Sequence, residues 1–306
     1  MDHKLYLSDK GIYCINNNFY YHRNKQRVTD TKMLNVLSSI AVPPAWTNVW
    51  YASNMNCHIQ VYGTDTGNKK QYILSQKWIK QAKFEKFQRM KRFIKNIACF
   101  KRKITLRNTQ NFTLETIIHL LFNLLIDLHI RVGNEIYAQT NQTYGLTTLR
   151  QRHLKFNNGK FELKFIGKSN IEHSIEVPVE YNEWFYKLIS KSRNKPLFQF
   201  NGTMVTSEDL NEYLKNNMGA GYTCKDFRTY SANMLFITSF LKRSKSGGNK
   251  KRCVLASIDD SAQQLGHTRS ISRKSYISET LVDYCINHFD DASASSPSLL
   301  LSKVWS

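Results

Sequence analysis

The chain has 306 residues, 41% of them hydrophobic, which is enough for one large domain or two smaller ones with a buried core. Its formal net charge of +21 favours a polyanionic partner, with nucleic acid as the leading candidate. The most apolar stretch, residues 114–130, is interrupted by two acids, two histidines and an asparagine, which excludes a membrane span and predicts a core helix.

Residues 1–76 are predicted to form a β-rich domain. Apolar and polar residues alternate over residues 4–22 and again over residues 58–74, and turn-forming residues interrupt each stretch. This pattern is typical of paired strands. The spacing of apolar residues becomes helical near Trp78. We therefore place a domain boundary here, with residues 77–306 forming the second domain.

A basic amphipathic helix is predicted to open the second domain. Residues 77–107 carry twelve lysines and arginines against one acid, Glu85, and their apolar residues recur at helical spacing. A charge run of this kind is either an ordinary solvated face or a surface that follows phosphates. Because so one-sided a run repels itself unless anions neutralise it, we favour a phosphate-binding face.

Three short strands are predicted in the middle of the second domain. They cover residues 149–156, 161–165 and 175–177, and an Asn-Asn-Gly turn separates the first two. Lys168 lies in the next turn, where a lysine either keeps a loop soluble or reaches a ligand. Arg131, which directly follows the apolar helix, is either a surface residue or a partly buried cation that needs an anion.

The remainder of the chain is predicted to be helical. Helices are expected over residues 182–191, 207–217 and 254–265. Thr223, with Asp226 three residues later, is typical of a helix start and predicts a helix that carries Arg228 in its first turns. The Ser- and Ala-rich residues 292–297 predict a frayed chain end.

A helix–turn–helix is predicted close to the C-terminus. Gly266 suits the left-handed residue that ends a helix, and Ser270 or Ser272 can accept backbone N–H bonds at the start of the next. His267 is then on the turn and Tyr276 in the first turns of the second helix. A phenol of pKa about 10 is a poor nucleophile unless cations surround it and its target. Taken alone, the segment is equally consistent with a basic helix–turn–helix that contains an incidental tyrosine.

Five residues and their neighbours resemble the type IB DNA topoisomerases of poxviruses and related bacteria. The resemblance extends from about Val61 to Asn287. The matching segments are Arg131-Val132-Gly133-Asn134, Tyr144-Gly145-Leu146-Thr147-Thr148-Leu149, Phe165-Ile166-Gly167-Lys168, Lys225-Asp226-Phe227-Arg228-Thr229-Tyr230 and Leu265-Gly266-His267-Thr268, with Tyr276 nine residues after the histidine. Residues 1–60 and the residues after Phe289 do not match closely.

The resemblance implies an α+β fold with a small β-rich DNA-clamp domain and a larger, mostly helical catalytic domain that contains a three-stranded sheet. It implies that Tyr276 attacks a DNA phosphate and forms a 3′-phosphotyrosyl bond, that the nicked strand rotates, and that the strand is then resealed. Arg131, Arg228 and His267 are expected to contact the phosphate oxygens, and Lys168 to act as general acid. No ATP, metal or other cofactor is implied.

The expected partner is double-stranded DNA, bound by a monomer without a membrane. The residues expected to contact DNA are Lys69, Lys70, Gln71, Tyr72, Tyr137 and Lys225. Two departures from the poxvirus pattern, Leu74 in place of an aromatic residue and Ser169 in place of an aspartate, leave the sequence preference open. A viral origin would imply the virion and the cytoplasmic replication site as locations.

Two other functions are consistent with parts of this pattern. A tyrosine recombinase shares the covalent intermediate, but its pattern has a histidine three residues before the second arginine, where this chain has Lys225. A non-catalytic DNA-binding protein would need the basic helix but not the spacing of all five residues. A plasmid relaxation assay distinguishes a topoisomerase from both of these alternatives.

Overall fold

An antiparallel sheet of five strands organises the N-terminal part of the chain. The computed structural model describes residues 11–54, 56–106, 112–246, 249–294 and 296–305. The strands lie in the order β2-β1-β3-β4-β5. Their bounds are Gly11–Ile15 (β1), Asn18–Tyr21 (β2), Thr47–Ala52 (β3), Ile59–Thr64 (β4) and Lys70–Leu74 (β5). Both predicted strand pairs are confirmed, as the hairpins β1–β2 and β4–β5, although residues 4–10 of the first lie outside the described residues.

The sequence-based prediction missed the central strand β3 and a helix, α1 (Thr31–Ser39). The helix begins after Asp30, whose carboxylate accepts two backbone N–H bonds. In β3, Trp50, Tyr51 and Ala52 are all buried. Tyr51 belongs to one apolar cluster, and Trp50 and Ala52 belong to another. A strand that is covered on both faces shows no polar–apolar alternation to detect.

The long helix α2 (Gln76–Lys103) follows the sheet. It begins where the spacing of apolar residues changes in the sequence. The chain separates into two compact units, Met1–Lys86 and Phe87–Ser306, so the division falls further along α2 than the predicted boundary after residue 76. No described helix is sufficiently long and apolar to cross a lipid bilayer.

The second unit is mostly helical and contains a three-stranded sheet, which confirms the predicted fold class. Its strands are β6 (Leu154–Asn157), β7 (Lys160–Ile166), β8 (Glu172–Glu176) and the short pair β9 (Gln199–Phe200) and β10 (Thr203–Met204). Its helices after α2 are α3 (Leu114–Asp127), α4 (Glu135–Asn141), α5 (Asn182–Leu188), α6 (Ser207–Met218), α7 (Cys224–Ser244), α8 (Lys250–Gln264), α9 (Arg269–Ser275), α10 (Glu279–Asn287), α11 (Phe289–Ala294) and α12 (Pro297–Trp305). The helices predicted over residues 182–191, 207–217 and 254–265 correspond to α5, α6 and α8.

The core of the second unit is built around α3. Most of its side chains are buried, in agreement with the predicted core helix. Its polar Asn123 is satisfied, because the side-chain amide donates to the carbonyls of Ile104 and His119 at 2.8 Å each. The helix α2 turns its apolar face into the same core through Met90, Phe93, Ile97 and Phe100.

The sheet β6-β7-β8 places Lys168 at the turn between its second and third strands. Alternation of buried residues in β7 matches the prediction. The predicted strand over residues 149–156 is only partly correct, because 3₁₀ helices cover residues 146–148 and 151–153 and the strand begins at Leu154. Side chains of Thr148 and His153 accept backbone N–H bonds there, and local bonds of this kind compete with strand pairing.

The prediction of a frayed chain end is wrong. Residues 292–294 lie in α11, and α12 follows with Leu300, Leu301 and Trp305 buried in the core of the second unit. Pro297 is the first residue of α12, a position where proline favours a helix rather than breaking it. The serine and alanine residues suggested a frayed end, and the apolar residues of α12 that follow them were overlooked.

Candidate active site

The segment that carries Arg131 is held by a second segment through backbone contacts. The Arg131 carbonyl accepts from the Leu146 N–H at 2.7 Å, and the Val132 carbonyl accepts from the next N–H at 2.6 Å. Gly133 and Gly145 make this approach possible, because a Cβ on Gly145 would lie 2.6 Å from the Arg131 oxygen and 2.5 Å from the Gly133 nitrogen. Two of the motifs found in the sequence therefore form one structural feature.

Arg228 lies in the second turn of α7 and is buried. The predicted helix start is confirmed, since the Asp226 carboxylate accepts from the Thr223 N–H at 2.9 Å. A salt bridge of 3.1 Å joins the same carboxylate to Arg89 of α2. This arrangement fixes the first turn of α7, and with it the direction in which Arg228 leaves the helix.

The Arg228 guanidinium donates to three groups that are distant in sequence. Nη1 donates to the His129 carbonyl at 2.7 Å, and Nη2 donates to the Leu265 carbonyl. The His267 ring nitrogen Nε2 accepts from Nη2 at 2.9 Å and from Nε at 3.3 Å. A side-chain hydrogen bond with Tyr276 also acts on Arg228 and, against the larger effect of burial, raises its pKa.

His267 lies on the turn between α8 and α9, as predicted. Gly266 before it has φ +58°, the left-handed conformation that was expected. The start of α9 is different from the prediction, because Thr268 is the capping residue and its hydroxyl accepts from the Ile271 N–H at 3.3 Å. The cap is thus earlier than Ser270 or Ser272.

Tyr276 is at the end of α9, not in its first turns. It follows the last residue of this seven-residue helix, and its N–H bonds to the Ser272 carbonyl at 3.0 Å. Its ring stacks on His267, with 4.5 Å between ring centroids and an interplanar angle of 23°. The prediction failed because the helix begins earlier than expected, after the Thr268 cap, and all seven of its residues precede Tyr276.

Asn233 is a residue of this site that the sequence reasoning missed. Its side-chain amide donates to the Tyr276 carbonyl at 2.9 Å, and its side-chain oxygen accepts from the Ser278 N–H at 2.9 Å. It is fully buried and lies on α7, five residues after Arg228. An asparagine inside a helix whose neighbouring positions are apolar was the available signal, because a buried amide requires partners.

Lys168 lies in the β7–β8 turn, and its side chain is exposed. The turn contains two non-glycine residues with positive φ, Ser169 at +65° and Asn170 at +57°. The Gly167 N–H donates to the Ile171 carbonyl at 2.8 Å and closes the turn. A cavity of about 310 Å³ lies beneath it, and Arg131, Lys168, Arg228 and Tyr276 all contribute to its lining.

The structure therefore brings the five predicted residues together. Four line the cavity, and His267 contacts two of those four directly. Other lining residues include Leu125, His129, Asn211, Thr223, Cys224 and Lys225. The cluster offers two guanidiniums, an amine, an imidazole and a phenol around a space that can accommodate a phosphate group.

Burial and mutual repulsion shape the charges of the cluster. Burial, followed by the charge of Arg131, lowers the pKa of Arg228 to about 10, so it stays cationic at neutral pH. Burial also lowers the pKa of Arg131. Burial, together with the charges of Arg228, Arg131 and Lys168, lowers the pKa of His267 to about 3. His267 is therefore neutral, and because Nε2 accepts from Arg228, its proton is assigned to Nδ1.

The residues expected to contact DNA lie on both units. Tyr72 in β5 and Tyr137 in α4 are exposed by 48% and 60%. Lys69 and Lys70 are also exposed, and the Lys70 amine lies 4.1 Å from the Tyr62 ring centroid. Gln71 is less available, since its amide donates to the Asp65 carboxylate at 2.7 Å. Lys225 is exposed at the cavity wall.

Acidification from pH 7 to pH 5 is expected to lower the free energy of unfolding. Burial lowers the pKa of His267 to about 3 and that of His153 to about 4, whereas both titrate near 6.5 when unfolded. Between those values the unfolded chain binds protons that the folded chain does not, so stability falls as the pH falls. Each residue contributes at most about 2 kcal/mol at pH 5.

Urea unfolding curves at pH 7 and pH 5 measure this change. In His153→Gln, the stability at pH 7 and at pH 5 should differ less than in the unchanged protein. An unfolding free energy that is the same at both pH values would contradict the burial of these two neutral imidazoles.

Comparison with known proteins gives consistent matches. The family described as "Eukaryotic DNA topoisomerase I, catalytic core" matches residues 75–293, and "Bacterial DNA topoisomerase IB, N-terminal domain" matches residues 18–65. DNA topoisomerase 1B of Acanthamoeba polyphaga mimivirus is 35% identical over 284 residues, 88% of this chain and 82% of that protein. DNA topoisomerase I of Monkeypox virus and DNA topoisomerase 1B of Vaccinia virus (strain Copenhagen) are each 26% identical over 227 residues, 72% of this chain and 70% of each relative. The first family match includes all five residues of the cluster.

Proposed function

This chain belongs to the type IB DNA topoisomerase family, and we propose that it relaxes supercoiled duplex DNA at the cavity lined by Arg131, Arg228 and Tyr276. The observation that supports this most is the convergence of one phenol and four nitrogen donors from five separate segments. Family membership indicates that the substrate is duplex DNA, and the side chains that line the cavity are suited to binding a phosphodiester.

In the proposed reaction, Tyr276 loses its phenolic proton to water and its oxygen attacks the scissile phosphorus. A bond forms between the phenolic oxygen and phosphorus while the bond from phosphorus to the 5′-oxygen breaks. The products are a 3′-phosphotyrosyl linkage and a free 5′-hydroxyl. The reverse attack by that hydroxyl reseals the strand and restores Tyr276, so the phosphodiester energy is conserved and ATP is not required.

Arg131, Arg228 and His267 stabilise the negative charge that builds on the non-bridging oxygens. Guanidiniums suit this role because their forked N–H groups match two oxygens at once. The Arg228 guanidinium, which also hydrogen-bonds with Tyr276, contacts the first of these oxygens. His267 joins when water takes the proton from Nδ1 and another water supplies one to Nε2, so that Nε2–H donates to a phosphate oxygen and no longer accepts from Arg228. Such donors are each worth roughly 10²–10³ in rate, which is the stabilisation a metal ion would otherwise provide.

Lys168 is the general acid of the proposal. The departing 5′-oxygen is a poor leaving group unless it receives a proton as the bond breaks. The Lys168 amine borders the cavity at the tip of a hairpin, from which its flexible chain reaches the 5′ side of the phosphate. Lys168 gives a proton to the 5′-oxygen in cleavage and takes it back in religation.

DNA binding in the proposal uses surfaces on both units. Tyr72 and Tyr137 contact the duplex through exposed rings, and Lys225 contacts a phosphate next to the scissile one. Gln71 contributes once its amide leaves Asp65. The enzyme acts as a monomer and needs no cofactor, because the cleaved strand, the nucleophile and the acid all meet in one cavity.

Supercoiled plasmid should be converted to relaxed circles by this protein in EDTA and without ATP. Gel electrophoresis of the plasmid over time measures the conversion, and a reaction quenched with detergent should trap a covalent adduct at the 3′ end of a nick. A recombinase would relax plasmid little without paired sites, and a simple DNA-binding protein would only retard its migration. Either of those outcomes would overturn the proposed function.

A further inference from the structure

We infer that His173 is a positioning residue which holds the Lys168 turn against the turn that carries His267. This inference rests on the proposed function, since it concerns the placement of the general acid. It adds to that function a residue outside the five-membered cluster, one that acts by filling space between two backbone segments.

The position of the Lys168 side chain depends mainly on the turn that carries it. Within the described part of the chain, no hydrogen bond or ion pair is made by its amine, and its side chain is exposed. Its location is therefore set by the β7–β8 turn. General acid catalysis requires the amine within hydrogen-bonding reach of the leaving oxygen, so a displacement of about 1 Å in this turn would slow the reaction.

His173 lies directly behind that turn. It is the partner of Phe165 in the β7–β8 ladder, and the two rings stack with 4.8 Å between centroids and an interplanar angle of 19°. Its ring edge meets the backbone of Gly167, the residue before Lys168. A Cβ on Gly167 would lie 2.6 Å from His173 Nε2 and 2.7 Å from Cδ2. The absence of a side chain at residue 167 is what lets the imidazole lie there.

The neighbouring ring atom, Cε1, faces the second turn. A Cβ on Gly266, the residue before His267, would lie 3.4 Å from His173 Cε1. The tip of one imidazole therefore lies beside both of the glycines that precede Lys168 and His267. The Ile171 side chain packs at the same place, 3.7 Å from that Cβ position on Gly266. Loss of the imidazole would leave a space next to the proposed general acid and the proposed phosphate-binding histidine.

The electrostatic surroundings agree with a packing role. Burial, followed by the charges of Arg131 and Arg228, lowers the pKa of His173. The ring is thus neutral at neutral pH and adds no charge to the cluster. A neutral flat ring of similar width, such as phenylalanine, should replace it far better than alanine.

The test compares two leaving groups. A duplex that contains the enzyme's own mapped cleavage site is prepared with either oxygen or sulfur as the bridging 5′ atom. A thiol has a pKa of about 8.5 and leaves without a general acid, so a defect in Lys168 placement disappears with sulfur. His173→Ala should slow single-turnover cleavage by about 10- to 100-fold with oxygen and by less than about 3-fold with sulfur.

Several variants complete the comparison. His173→Phe should keep most of the rate with oxygen. Gly167→Ala should reproduce the defect of His173→Ala, and the double variant should be less impaired than the product of the two single losses. Ser174→Ala is the matched control, because its hydroxyl bonds Glu162 on the other face of the strand, and it should cleave both substrates normally.

Equal losses on both substrates, an unchanged rate in His173→Ala, or a His173→Phe variant as slow as alanine would each overturn the inference. Failure of the unchanged enzyme to form an adduct, or failure of sulfur to restore Lys168→Ala, would instead refute the proposed function or its general acid. If those two controls behave as expected, the result for His173 decides this inference alone.

Discussion

Replacement of Tyr276 by phenylalanine is expected to abolish relaxation while leaving DNA binding intact. The substitution removes the oxygen that is proposed to attack phosphorus, and the ring can still stack on His267. Loss of a covalent nucleophile typically costs more than about 10⁴-fold in rate. The affinity for a duplex should change by less than about 3-fold, since the DNA contacts proposed for Arg131 and Lys225 and expected for α2 are unaffected.

Single-turnover cleavage of a labelled duplex measures the adduct, and a filter-binding titration measures the affinity. Tyr284→Phe is the matched control, because this tyrosine lies on α10 with its hydroxyl bonded to Asp291 and does not line the cavity. It should remain active. Relaxation or a protein–DNA adduct with Tyr276→Phe would show that another residue is the nucleophile.

Replacement of Arg228 by alanine is the second change with a large expected effect, a loss of about 10³-fold or more in the rate of cleavage. Two consequences combine. In the proposed reaction the phosphate loses a forked cation, and His267 loses the donor that orients its ring. Lysine at this position keeps the charge but not the fork, so Arg228→Lys should still lose about 10²-fold.

Arg228→Ala also affects the fold, because the carbonyls of His129 and Leu265 lose their donor. A buried unsatisfied acceptor costs about 1–3 kcal/mol, so thermal unfolding must be measured with the cleavage rate. Added guanidinium at low concentration should partly restore cleavage in the alanine variant. Arg243→Lys, which alters a pair with Asp260 at the far end of α7, is the control for the helix. An Arg228→Ala rate within about 3-fold of normal would exclude this residue from the chemistry.

Local patterns in the sequence predicted local structure well. Thr223 and Asp226 cap α7 as expected, and Gly266 ends α8 in the left-handed conformation. These features depend on contacts within a few residues of each other, so the sequence carries them directly. The alternation in β7 likewise follows from burial of one face of the strand.

Errors arose where a distant contact outweighed a local preference. Strand β3 is covered on both faces and shows no alternation, and α12 is held by core packing despite the serine-rich residues before it. The cap of α9 is Thr268, which moved Tyr276 from the start of the helix to its end. Several serines and threonines nearby had comparable capping propensity, and the sequence offered no basis for choosing between them.

The sequence alone determined the types, order and spacing of five residues, Arg131, Lys168, Arg228, His267 and Tyr276. It also determined the net positive charge that favours a polyanionic partner. Only the tertiary structure decided how these groups are oriented. Arg228 is aimed by carbonyls that lie 99 and 37 residues away in the chain, and Tyr276 is held by Asn233, 43 residues before it. Such partners are chosen by the packing of α3, α7 and the α8–α9 turn against one another, and contacts between distant segments leave no periodic signal in a single sequence.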